Sequence, residues 1–179
     1  KLFLDIDIPI NKVPEEFKKK KEKYLDKIIN NIIDLINDKL TDYNEDIQPN
    51  IIILKSCNES KLSSHIIYQN VVFDDVYHIR YFISQIKSSY IDNKILDPNV
   101  YRKGCFRMLW NSKIKKNINL EYDKTINYNY KDDKTLFYDC LLKNISKKSY
   151  NIKINLPKTI TTKKINKNIV WKNIIPLPF

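Results

Sequence analysis

One glycine, no alanine, three arginines and two histidines are spread over 179 residues. A single glycine excludes the phosphate-cradling loops of P-loop and Rossmann proteins, which need several glycines close together. Two histidines and three widely spaced cysteines (Cys57, Cys105 and Cys140), with no CxxC pair, exclude a classical zinc finger within this chain. The same cysteine pattern argues against a disulfide framework and for an intracellular, reducing compartment. No apolar run approaches a membrane span, and there is no signal-peptide h-region, so no membrane partner is expected. The chain begins at Lys1 and runs straight into an apolar strand pattern, which reads as a piece of a longer protein.

What is present indicates a folded domain. Hydrophobic residues make up 42% and aromatics 12%, enough to build a core over residues 1–179 as one domain. The formal net charge of +11 points to a polyanionic partner such as nucleic acid or nucleotide. Of the 32 basic residues only Arg80, Arg102 and Arg107 are arginine. A surplus of Lys, Asn and Ile looks like GC-poor coding, so part of that charge is an ordinary solvated surface. The bias makes its exceptions informative. Arg102, Gly104 and Arg107 fall close together, and they are the first pointer to a site.

Periodicity places the elements. Leu2 to Ile8 alternates apolar residues with Asp5 and Asp7 and predicts a buried strand. Pro14 followed by Glu15 and Glu16 predicts a helix start, and the helical period continues to about Leu40. Within it, the lysines from Lys18 to Lys23 read as a solvated face. Ile51 to Leu54 suits a central strand, and Ser64 to Phe73 one strand or a broken pair. Asp74 and Asp75 can cap a helix carrying Val76, Ile79, Phe82, Ile83 and Ile86, with His78 as a structural member. Ile95–Leu96 and Cys105–Trp110 read as strands, Thr135–Ile145 as a helix, and 130–134 and 158–167 as charged connectors. Strands interleaved with helices predict a mixed α/β domain.

Three clusters could do chemistry. Asp5 and Asp7, two apart on a strand, point to one face, where like charges held close call for a cation between them. Lys61, Ser63 and His65 likewise share a strand face and offer an ammonium, a hydroxyl and an imidazole suited to a triphosphate. The third cluster starts at Asp97, continues through the basic loop of Arg102, Lys103 and Gly104, and ends with Arg107 and Lys113 on either side of a strand. Gly104 would permit φ > 0 or close backbone approach to a phosphate. An ordinary hairpin turn would use it equally well.

Taken in order, Leu-Asp-Ile-Asp, then Lys-x-Ser-x-His, then Asp-x-x-Val-Tyr with Phe-Arg-Met and Ser-Lys resembles the archaeo-eukaryotic primase superfamily. The nearest branch is that of PrimPol and the herpes–pox-type primases of large DNA viruses. The resemblance spans roughly residues 1–145 and implies an RRM-like catalytic sheet with flanking helices, lacking the N-terminal module. It also implies that Asp5, Asp7 and Asp97 hold Mg²⁺ or Mn²⁺, and that Lys61, Ser63, His65, Arg107 and Lys113 contact the incoming nucleotide. The loop between Asp97 and Phe106 is shorter than in PrimPol, so a basic contact within it falls to Arg102 or Lys103.

The expected function is therefore DNA-directed nucleotidyl transfer in DNA replication, by a primase or primase-polymerase. The expected partners are a single-stranded DNA template, NTP or dNTP, and a helicase domain in the same longer chain. Two rivals stand beside it. A non-catalytic nucleic-acid-binding module explains the charge and the many tyrosines but not three carboxylates beside a basic cluster. A DxD metal-dependent glycosyltransferase explains Asp5 and Asp7 but not Asp97 or the Ser-x-His pair.

Overall fold

The computed structural model describes residues 1–86, 88–101, 106–113 and 116–157. Strand β1 (Leu2–Pro9) is followed by short 3₁₀ turns at Ile10–Lys12 and Glu15–Phe17, then by helix α1 (Lys21–Thr41). Strands β2 (Ile51–Lys55), β3 (Lys61–Tyr68) and β4 (Val71–Phe73) precede helices α2 (Val76–Ser84) and α3 (Ser89–Asp92). A 3₁₀ turn at Pro98–Tyr101 leads on to strands β5 (Ser112–Lys113), β6 (Lys116–Asn119) and β7 (Glu121–Ile126). Helix α4 (Asp133–Cys140) and strand β8 (Tyr150–Ile152) complete the described chain.

The main sheet runs β1-β3-β2-β7, with every neighbouring pair antiparallel. Beyond the free side of β1 lies one more extended segment. There Leu96 bridges Ile6, while the Asp7 amide donates to the Ile95 carbonyl and the Asp97 amide to the Asp5 carbonyl, both at 2.9 Å. Smaller sheets pair β4 with β8 in parallel and β5 with β6 antiparallel.

Period-two alternation divides the sheet into two faces. Leu4, Ile6 and Ile8 of β1 join Ile51, Ile53, Leu62 and Ile66 against the buried stripe of α1, which runs from Leu25 through Ile29 and Ile36 to Leu40. Helix α2 buries Ile79, Phe82 and Ile83 in the same core. On the opposite face, Ile52, Leu54 and Ile67 pack with Leu109, Leu120, Leu136 and Cys140. This second core covers only part of its face. The β1 end of it, where Asp5, Asp7, Ser63 and His65 project, carries the candidate site.

Several elements differ from the sequence expectations. The helix expected from Pro14 breaks into a 3₁₀ turn, and α1 begins only at Lys21. Consecutive lysines are poor N-terminal residues because the helix dipole places positive charge there. The Ser64–Phe73 stretch is a broken pair, and β3 starts earlier, at Lys61, held in register by β1. Asp75 caps α2 as expected, accepting from the amides of Tyr77 and His78. The strand expected over Cys105–Trp110 is not formed by its described part, since Phe106–Met108 lies outside strands and Leu109–Trp110 turns. Helix α4 stops at Cys140 rather than Ile145, because Leu141 is already extended. Among the described residues no helix is long and apolar enough to cross a membrane.

Candidate functional site

The register between β1 and β3 assembles two of the sequence clusters. Asp5 lies opposite His65, Asp7 opposite Ser63 and Pro9 opposite Lys61. Alternation then sends all the side chains of this set to one face. The turn before β3 fixes its first residue: the Asn58 side-chain oxygen accepts from the amides of Ser60 and Lys61, at 2.8 and 2.9 Å. A cleft of about 140 Å³ opens above these residues. Asp5, Asp7, Lys61, Ser63 and His65 form its floor, and Val100, Phe106 and Arg107 complete the wall.

Asp97 comes to the same neighbourhood by a different route. Its amide hydrogen-bonds the Asp5 carbonyl, which sets Asp97 opposite Asp5 on the added edge of β1. Leu96 beside it is buried with Ile6 in the helical core, so alternation assigns Asp97 to the cleft side of the sheet. The carboxylates of Asp5 and Asp97 both bear on Tyr101, whose hydroxyl is raised far above its ordinary value by burial and, after that, by these two charges. Asp97 does not itself line the cleft. Among the described residues, no three His, Cys, Asp or Glu side chains converge into a ready-made metal centre.

The charges inside the cleft are arranged in opposition. The Lys61 ammonium lies 2.5 Å from both oxygens of Asp7, so a cation already sits on that carboxylate. His65 Nε2 is 3.4 Å from Asp5 Oδ1. Burial, then the Arg107 guanidinium, pushes the imidazole down to about 3, against the opposing pull of Asp7. His65 is therefore neutral at physiological pH, and its contact with Asp5 is not an ion pair. Burial also lowers Arg107, while the Asp5 and Asp7 carboxylates counter that effect. One terminal guanidinium nitrogen of Arg107 donates to the Ile118 carbonyl at 3.1 Å.

Donor chemistry decides what these residues can hold. Asp5 and Asp7 offer hard carboxylate oxygens on one strand face, the donor type preferred by Mg²⁺ and Mn²⁺. The ammonium held by Asp7 shows that a cation fits against this carboxylate. Lys61, Ser63, the neutral imidazole of His65 and Arg107 offer donors to an anion in the same cleft.

Most of the expected set is thus brought together: Asp5, Asp7, Lys61, Ser63, His65 and Arg107 share one cleft, with Asp97 beside it. Arg102, Lys103 and Gly104 lie outside the described residues, as does the side chain of Lys113. The expectation that Arg107 and Lys113 flank one strand does not hold, because Arg107 precedes the turn and Lys113 ends β5. His78 is structural as expected, with Nδ1 2.8 Å from the capping Asp75 carboxylate.

Phe106 and Tyr101 are the residues the sequence left unassigned. Phe106 stacks on His65 with ring centroids 4.3 Å apart and also packs on Phe3 at 4.6 Å. Tyr101 is fully buried and donates 2.6 Å to the Phe3 carbonyl, tying the segment after Asp97 back to β1. Both stand in the third motif, Tyr101 after Val100 and Phe106 before Arg107, where the sequence marks their positions but not their contacts. No known family model matches this chain, and no curated protein matches it.

Proposed function

We propose that this chain is the catalytic core of a DNA-directed nucleotidyltransferase, a primase or primase-polymerase acting on a single-stranded template. The observation that carries this reading is the β1–β3 register. It sets the acidic pair Asp5 and Asp7 directly across from His65 and Ser63, in one cleft with Lys61 and Arg107. An acidic pair beside a cluster of anion-binding donors suits a metal-bound triphosphate. The strand order of the 95–97 segment, β1, β3 and β2, with α1 and α2 packed on one side, fits the RRM-like sheet that the resemblance implies.

In this reading Asp5 and Asp7, with Asp97 beside the cleft, would hold two Mg²⁺ or Mn²⁺ ions. Bound there, the ions supply Lewis acidity at the attacking 3′-hydroxyl and neutralise charge on the triphosphate. Lys61, which neutralises Asp7 here, would be free to contact a phosphate oxygen if a metal ion took its place. Arg107 presents its remaining guanidinium donors to the phosphates, and Ser63 adds a hydroxyl. Neutral His65 donates or accepts one hydrogen bond without adding charge. Phe106 holds its ring plane.

One observation favours a second reading. Three converging ligand side chains are not found among the described residues, which suits a non-catalytic nucleic-acid-binding module. Template-dependent incorporation separates the two. The full chain is incubated with single-stranded DNA, labelled NTP or dNTP, and Mg²⁺ or Mn²⁺, beside Asp5→Asn and Asp7→Asn controls. Incorporation that both substitutions abolish supports the enzyme. Template binding without incorporation under any cation or nucleotide supports the module.

A further inference from the structure

Trp110, in the turn after Arg107, and Tyr138 of α4 both expose their rings. Leu109 is buried against Leu120 and Leu136. Its neighbour Trp110 is 48% exposed and adopts φ 65°. That left-handed conformation is costly for a bulky residue and recurs where function requires it. It is held by main-chain bonds. The Trp110 amide donates 2.7 Å to the Leu120 carbonyl, and the Leu120 amide donates 3.2 Å to Asn111. The indole lies nearly parallel to Phe137 of α4, with centroids 5.8 Å apart and planes at 7°. Tyr138, also 48% exposed, meets Phe137 edge-on at 6.0 Å.

Charge and position identify an occupant. From Arg107 to Asn119 the sequence has Arg107, Lys113, Lys115 and Lys116 and no acidic residue. On α4 exposed Lys134 and Asp133 both lie one turn before Phe137, so the net positive charge beside the rings comes from the 107–119 segment. Arg107 in the cleft wall and Trp110 are three positions apart, at most about 10 Å of extended chain. An exposed ring backed by a parallel, half-buried one beside a basic segment can hold single strands without sequence preference: bases stack while cations follow the phosphates.

We infer that Trp110 and Phe137 form a base-stacking platform for single-stranded DNA, delivering the strand to the cleft beside Arg107. The choice of DNA as the strand rests on the proposed nucleotidyltransferase reading, whereas the stacking itself does not.

The test is fluorescence anisotropy of the full chain with labelled oligo(dT) and with a duplex of the same length. Trp110→Ala is expected to weaken oligo(dT) binding by roughly 5- to 150-fold, the equivalent of about 1–3 kcal/mol for one stacked base. Duplex binding should change far less, and Trp110→Phe should restore most of the single-strand affinity. Thermal melting of each variant shows that the fold persists. Oligo(dT) affinity within twofold of wild type in folded Trp110→Ala overturns the inference. So does a self-association, seen by sedimentation, that Trp110→Ala abolishes while leaving oligo(dT) binding intact. Incorporation assays keep the two readings apart. If wild type incorporates nucleotide and Trp110→Ala binds oligo(dT) normally, the platform fails and the enzyme stands. If wild type never incorporates but Trp110→Ala loses oligo(dT), the platform stands and the enzyme fails.

Discussion

Asp5 and His65 face each other directly across the β1–β3 pairing, with imidazole and carboxylate 3.4 Å apart and the imidazole neutral. A carboxyl group and an uncharged ring therefore share the floor of the cleft. Positive charge comes from Lys61 and Arg107 instead.

A pH dependence follows from this pair. His65 binds its proton at about 3 in the fold and near 6.5 when unfolded, so the unfolded chain holds more protons between those values. Its stabilising contribution is complete above about 6.5 and is lost as pH falls toward 3. The loss between pH 7 and pH 5 is about 2 kcal/mol. Urea unfolding at the two pH values checks this, and His65→Gln should flatten the difference. An equal slope in that variant would show that other groups cause it.

The Lys61–Asp7 pair predicts a small stability effect with a large functional one. Both side chains are partly exposed, so losing their attraction in Asp7→Asn should cost no more than about 1 kcal/mol. Bound Mn²⁺, followed by electron paramagnetic resonance, should fall sharply in the same variant. Unchanged Mn²⁺ binding would remove Asp7 from the ligand set. Repulsion between Asp5 and Asp7 alone would predict a gain in stability on removing Asp7, but the Lys61 ammonium offsets that repulsion.

Arg107→Lys tests the guanidinium rather than the charge. Arg107 uses one nitrogen on the Ile118 carbonyl and keeps further donors for the cleft, which an ammonium on a single stem cannot do at once. The apparent KM for nucleotide should rise by roughly tenfold or more, as expected for loss of one charge-assisted hydrogen bond of about 1.5–3 kcal/mol. Single-strand affinity should hardly move, because the phosphate-contacting charge is conserved. The opposite pattern would assign Arg107 to the template.

Tyr101→Phe keeps the ring packing and removes one buried hydrogen bond. The Phe3 carbonyl then loses its 2.6 Å donor in a fully buried position. A cost of about 1–2 kcal/mol is expected, which lowers the melting temperature by about 2–8 °C for a chain of this size. Calorimetry measures it. A melting temperature equal to wild type would mean that the bond does not anchor the segment after Asp97.

What the sequence determined by itself is what repeats locally. Alternation around Asp5 and Asp7 made β1 legible, and the i, i+3, i+4 spacing from Leu25 to Leu40 made α1 legible. Asp75 announced its helix because a cap acts within one turn. The pairs Asp5–Asp7 and Ser63–His65 could be assigned to common faces for the same reason. The break at Lys18–Lys20 and the early end of α4 escaped this reading, because helix ends depend on a few weak, competing terms. Only tertiary pairing decided that Asp5 stands opposite His65 and that Lys61 neutralises Asp7. It also brought Asp97 to β1 by main-chain bonds spanning some ninety residues, and laid Phe106 on His65. Such contacts are selected by the summed burial of two sheet faces and by complete pairing of the main chain, and no short window of sequence contains that sum.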